Sequence, residues 1–163
     1  MKYTISENDK WSEIEWFISQ YPEQFYKLKE KWRAVDAVQI GALTVRDLCE
    51  IFEYGYPVTY CKDLTVRHFV EVVTSIEAQI EGFKNFLDRT TPPMTAQQRM
   101  CMQGLEEMTI EESILLTCKD FYNLNTLEDA QKLSVYEYII ARKSIYNEKR
   151  MAYNCDTLRP SRP

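Results

Sequence analysis

The chain has only four glycines, one histidine and no pair of cysteines at Cys-x-x-Cys spacing in its 163 residues. With so little glycine there is no Gly-rich loop to cradle a phosphate and no Gly-x-Ser-x-Gly elbow to present a nucleophile. Tight-turned sandwiches of short strands are disfavoured for the same reason. A single imidazole excludes the Glu-x-x-His pairs of a helical di-iron site, and a zinc site built on Cys61 and His68 falls two ligands short. The five thiols (Cys49, Cys61, Cys101, Cys118, Cys155) are odd in number and widely spaced, which argues against a disulfide framework. No apolar run reaches the length of a membrane span or a signal peptide, and the chain opens Met1-Lys2-Tyr3-Thr4-Ile5-Ser6-Glu7. It is therefore expected to be cytoplasmic at synthesis and not secreted, with no cofactor and no metal.

Large side chains are abundant instead. Eleven Tyr, seven Phe and three Trp set against so few glycines favour long unbroken elements. They also leave more aromatic surface than one small core hides, and Tyr suits interfaces, where one end packs and the other stays wet. The 45% hydrophobic and 28% charged content is that of a soluble globular protein, and the length suits one domain. A net charge of −5 argues against a protein that coats nucleic acid, so the expected partners are other protein chains, in a homo- or hetero-oligomer.

One phrase recurs three times: Leu43-Thr44-Val45, Leu64-Thr65-Val66 and Leu133-Ser134-Val135. Each is a helix start. The hydroxyl is placed to accept a bond from an unpaired first-turn N–H, and the Leu before it can staple across the turn to a large apolar residue five positions later. In the third copy Glu137 completes a capping box with Ser134. The starts lie 21 and then 69 residues apart, so they are reused punctuation and not a structural repeat.

Around these starts the apolar spacing predicts an all-α, single-domain bundle of six or seven helices. A first helix from Ser6 or Ser12 to Gln20 and a second opened by Pro22, with Phe25, Leu28, Trp32 and Val35 on one side, form an N-terminal hairpin over about 6–36. The helix begun at Thr44 stops near Gly55. The next carries Val66, Phe69, Val73, Ile76, Ile80, Phe83 and Leu87 at alternating spacings of three and four, a seam widened by Val70 and Val72. That widening favours the central helix of an intrachain bundle, spanning about 65–88. Thr90-Thr91-Pro92-Pro93-Met94 then forms an exposed loop. Thr95 is expected to cap a short helix containing Met100, Cys101, Leu105 and Met108, and Thr109 with Glu112 to form a capping box. Asn123 and Asn125 suit a helix stop. A final helix from about Ser134 to Tyr153, with a backward extension to Thr126 allowed, should lead into an extended tail over 154–163.

Three constellations deserve weighing as chemistry. His68 falls at the third position of a capped helix, where a surface residue is the expectation. Glu106, Glu107, Glu111 and Glu112 suit a solvated helix start, with the last two favoured by the helix dipole. The helices flanking Gly55 resemble a helix-turn-helix in outline, with Arg46, Lys62 and Arg67 supplying charge, but the link to Leu64 is too long and the second helix needs its side chains for packing.

The function expected is therefore non-enzymatic: a helical structural or interaction subunit of a larger assembly. A concrete form is a bacteriophage virion or assembly component, such as a connector, a ring or an assembly chaperone. The final helix begins apolar but runs out into Arg, Lys and Tyr, which makes Tyr146, Arg150, Tyr153, Leu158, Arg159 and Arg162 the expected partner-binding residues. The alternatives are a cytosolic regulatory module, either a DNA binder or a protein inhibitor, and after it a carboxylate-using enzyme.

Overall fold

The computed structural model describes residues 5–158, with the side chains of residues 13, 14, 17 and 156–158 excepted. In that span lie nine α-helices, six of them ten residues or longer, and no sheet. The long ones are α1 (Trp11–Gln20), α2 (Pro22–Lys31), α3 (Val45–Tyr54), α5 (Val66–Arg89), α7 (Ile110–Phe121) and α9 (Val135–Leu158). Between them sit α4 (Val58–Cys61), α6 (Ala96–Cys101), α8 (Leu127–Gln131) and a 3₁₀ turn over Ile40–Ala42. The fold is all-α, as the periodicity implies.

The recurring Leu-Thr/Ser-Val phrase does more than cap. Thr44 and Thr65 each accept a hydrogen bond from the third helical N–H, and Asp47 and Glu137 reach back to the cap N–H of Thr44 and Ser134, so the first and third copies are both complete capping boxes. Thr44 has extended dihedrals (φ −79°, ψ 160°), so the chain entering the helix is a one-residue strand. Its neighbour's N–H, the first of the helix, has no partner inside the helix. The fold pairs these orphans. Val45 N–H donates to the Leu133 carbonyl at 2.7 Å and Val135 N–H to the Leu43 carbonyl at 2.8 Å, which locks the starts of α3 and α9 together as an antiparallel bridge. The second copy pairs with residues that lack the phrase: Val66 N–H donates to Asp9 at 2.6 Å and Trp11 N–H to Leu64 at 3.0 Å. The Val at the first helical position is completely buried in all three copies.

Helix α5 is the centre of the molecule. It contributes nine buried residues, against four from α3 and two from α7, so its seam is closed within the chain. Val66, Phe69, Val70, Val72, Val73 and Ile76 are buried, whereas beyond Ile76 only Phe83 is, with Ile80, Phe86 and Leu87 half-covered. Burying each such Val or Phe stabilises the fold by about 1.5–3 kcal/mol. At the start of α5 the Trp11 ring stacks on Phe69 at 3.7 Å, and Phe25 and Tyr56 close round the pair, which seats the hairpin of α1 and α2. On another side α3, α7 and α9 bury Leu48, Ile51, Ile114, Cys118, Tyr138 and Ala141.

Five features differ from the sequence reading. Helix α2 ends at Lys31 with Trp32 as its C-cap, so Val35 lies beyond it, 60% exposed, and the hairpin helices span 11–31 instead of about 6–36. Helix α6 ends at Cys101, leaving Leu105 and Met108 outside it, because Gly104 takes a left-handed turn (φ 83°) that a helix interior does not allow. Thr109 accepts the N–H of Glu112, but its own N–H does not donate to the Glu112 carboxylate, so that box is half made. Helix α8, capped by Thr126, is separate from α9, since the extended cap residue Ser134 is needed for the bridge. Finally, α9 continues to Leu158, well into the stretch expected to be extended; Arg159 and Arg162 lie outside the described residues. The stops at Gly55 (φ 91°) and Asn123 (φ 53°) fall where expected, each in the left-handed conformation.

Candidate partner-binding surface

Two polar devices hold the faces from which the outer surface rises. The first secures the chain between α2 and the 3₁₀ turn, which has no regular backbone pairing of its own. On α5, Thr74 accepts the N–H of Ala34 at 3.0 Å, Ser75 accepts that of Val38 at 3.2 Å and Gln79 that of Ile40 at 3.1 Å. Three side chains on the central helix thus replace the partners this segment would otherwise take from water.

The second device is Arg142, which crosses from α9 to the last turn of α5. Its Nη2 donates to the Leu87 carbonyl at 2.7 Å and its Nε to Thr90 Oγ1 at 2.6 Å. A guanidinium facing the carbonyls at a helix C-terminus is favoured by the helix dipole as well as by the bonds. This explains how α9 carries an arginine in the middle of its packed side.

Past this clamp the chain makes an excursion. Thr90 and Thr91 bond back to the Phe86 and Leu87 carbonyls, Pro92-Pro93 cannot continue the helix, and Thr95 with Gln98 forms the capping box of α6. Every residue from Ala96 to Ile110 is exposed. Among them Met100 is 68% exposed, Leu105 62% and Met108 58%, with Met94 and Met102 nearby. Isolated exposed apolar residues are ordinary; here five fall within 94–108. Methionine is also the apolar side chain best able to repack against differing partners.

This excursion meets α9. A groove of about 870 Å³ is walled by Thr91–Thr95, Gln98, Cys101 and Met102 on one side and by Lys149, Ala152 and Tyr153 on the other. Tyr146 sits about two turns before Tyr153, between two further grooves. One, of about 370 Å³, is shared with Met108, Leu116 and Arg142, and the other, of about 760 Å³, with Ile40, Phe83, Phe86 and Tyr136. Arg150 lies over the Tyr153 ring at 6.0 Å, within the range of a cation–π contact. Of the residues expected from sequence, Tyr146, Arg150 and Tyr153 are thus on the outer part of α9, and Tyr146 and Tyr153 line different grooves. Leu158 is its last residue, and its side chain is outside the description, as are Arg159 and Arg162.

The charges are divided. Across 94–113 there are four carboxylates (Glu106, Glu107, Glu111, Glu112) and one cation (Arg99), a net of −3; across 142–162 there are six cations (Arg142, Lys143, Lys149, Arg150, Arg159, Arg162) and two acids (Glu148, Asp156), a net of +4. The ion pairs among the described residues are Lys29–Glu77, Arg46–Glu50, Arg67–Glu7 and Arg67–Glu71. None uses a charge from either of those two segments.

The other constellations take ordinary structural places. His68 is exposed and its N–H is capped by Thr65. Cys49, Cys61 and Cys118 are held in the core, and burial above all, with nearby acids at Cys49 and Cys61, pushes each thiol up to about 12. The helix-turn-helix outline is interrupted by α4, whose Thr59 is bound through its N–H and hydroxyl to Glu50, and Arg67 is paired with two glutamates. Among the described residues no group of three or more His, Cys, Asp or Glu side chains is placed to hold a metal ion, and no helix is long and apolar enough to cross a membrane. Comparison with protein-family profiles, curated proteins and solved structures finds no match.

The Met-rich excursion is the feature that sequence reasoning passed over. A signal was present: four of the six methionines fall within 94–108, around a glycine and without helical periodicity. Apolar residues that follow no period cannot be gathered onto one buried face.

Proposed function

We propose that the chain is a non-enzymatic helical subunit of a larger protein assembly, in its concrete form a bacteriophage virion or assembly component such as a connector, a ring or an assembly chaperone. The observation that carries this reading is the exposed Met-rich run of 94–110 beside the outer half of α9. Tyr146, Arg150 and Tyr153, continued by Leu158, Arg159 and Arg162, are its contact residues. Tyr and Arg are the side chains most often found as energetic anchors of interfaces, and Met is enriched there.

The test is the native mass of the purified protein, full-length and truncated after Tyr153, measured across a concentration series by light scattering or sedimentation. A defined multimer that weakens on truncation is the expected result. A strict monomer indifferent to the truncation overturns the reading.

A further inference from the structure

We infer that the acidic, Met-rich excursion of one copy of this chain docks into the groove between α5, α9 and the 3₁₀ turn of a second copy. This rests on the assembly reading above and names both of its surfaces.

The groove, of about 760 Å³, is walled by helices that run side by side in one direction: Tyr138 faces Phe83 at 6.5 Å, and four residues further along each helix Arg142 reaches Leu87. Ile40, Phe83, Phe86 and Ile139 give it an apolar floor. Arg89 precedes Thr90 and Lys143 follows Arg142, the two sides of the clamp, so both cations fall at the clamped end. No carboxylate lines the groove; Glu81, Asp88 and Glu148 adjoin lining residues in sequence but are not among them. Neither Arg89 nor Lys143 belongs to an ion pair among the described residues. The surface therefore suits an apolar segment that carries negative charge.

Its openness selects the kind of occupant. Only Ile40, Phe83 and Thr90 of the lining are buried, so the groove does not wrap round a small molecule as a ligand pocket does. A length of polypeptide lying along it fits better.

Gly82 marks the point of closest approach. It lies inside α5, where glycine is less favourable than any residue but proline, and a Cβ there would meet no packed neighbour within 4 Å. Packing within the chain therefore does not require the glycine. It leaves bare backbone at the groove floor, which lets an incoming segment come close.

The chain itself carries a segment of the matching chemistry. Leu105, Glu106 and Glu107 are exposed in the non-helical stretch before α7, with exposed Met100 and Met108 on either side. Neither glutamate has a cationic partner among the described residues. No residue of 94–113 lines the groove of its own copy, so donor and acceptor are separate surfaces. Such a contact builds a ring or a filament when each copy docks on the next, and an exchanged dimer when two dock on each other.

The test uses three full-length variants at exposed positions. Gly82→Leu fills the groove floor; because the site is open and leucine favours helix, its urea midpoint should be no lower than that of the wild type, while its association weakens about tenfold or more. Arg89→Glu with Lys143→Glu reverses the acceptor, and Glu106→Lys with Glu107→Lys reverses the donor. Each reversal alone sets like charge against like and should weaken association about tenfold or more. Mixed in equal amounts, the two reversed proteins should bind each other about as tightly as wild-type copies do, since each offers what the other accepts. Circular dichroism checks that all three are folded. Wild-type association that Gly82→Leu or the donor reversal leaves unweakened, or reversed proteins that stay apart when mixed, overturns this inference and leaves the assembly reading standing. A wild-type chain that is a strict monomer, indifferent to truncation, overturns both.

Discussion

Replacing Thr74 by valine should be markedly worse than replacing it by serine, although valine is the closer match in shape. Thr74 is 4% exposed on α5, and its Oγ1 accepts the Ala34 N–H at 3.0 Å while lying 3.0 Å from the Ala34 carbonyl and 3.1 Å from that of Glu71. Valine fills the same volume and has much the same helix propensity, so packing is conserved. It leaves the Ala34 N–H without a partner, at a cost of about 1–3 kcal/mol. Serine keeps the hydroxyl and gives up one buried methyl, a cost of about 1 kcal/mol. Taking about 2 kcal/mol for Thr74→Val, the melting temperature should fall by about 4–8 °C in a chain of this size. Urea titration followed by far-UV circular dichroism gives the free energies, and amide exchange at Ala34 should accelerate in the valine variant only. A valine variant within about 0.5 kcal/mol of wild type, the ordinary range for a harmless substitution, refutes the claim that α5 holds the 33–40 segment by hydrogen bonding. A serine variant less stable than the valine variant would refute it equally, by showing that packing dominates.

Three further expectations follow from the caps and the core. Thr44→Ala and Ser134→Ala should each cost about 1 kcal/mol as lost helix caps, but because the two starts are bridged through Val45 and Val135 the double variant should depart from additivity by about 0.5 kcal/mol or more, read from a double-mutant cycle in urea. The three core thiols titrate near 12 in the folded chain and near 9 when unfolded; between those values the native state holds more protons than the unfolded one, so stability should be unaffected by these groups below pH 9 and fall as pH rises from 9 toward 12. In the same protein at neutral pH, iodoacetamide should modify exposed Cys101 and Cys155 and spare Cys49, Cys61 and Cys118 until denaturant is added, as read by mass spectrometry.

Much of the architecture is local and therefore readable from the chain. A capping hydroxyl acts on an N–H three residues away, and an apolar stripe at spacings of three and four defines its own face, so Thr44, Thr65 and Ser134 and the seam of α5 declare themselves without any knowledge of the fold. Gly55 and Asn123 announce their stops for the same reason. Where an element ends by competition, the local signal weakens. The helix propensity of 154–158 shows no apolar period, yet the backbone there continues α9; the run to Met108 has helix-compatible residues, yet Gly104 turns it.

The class of the protein, a bundle of capped helices with a buried α5, is determined by the sequence alone, because helix caps and apolar periodicity are interactions within a few residues. Tertiary structure decided everything that joins residues far apart in the chain. Only the fold shows that one Leu-Thr-Val start clasps a Leu-Ser-Val start some ninety positions later, that Thr74, Ser75 and Gln79 serve the backbone of residues 34–40, and that Arg142 closes the end of α5. It also decided that the methionines of 94–108 stay outside, with Met94 and Met102 beside Tyr153. An unpaired N–H, a carbonyl at a helix end and an aperiodic methionine carry no mark of their partner in sequence; which group meets them depends on how the helices cross.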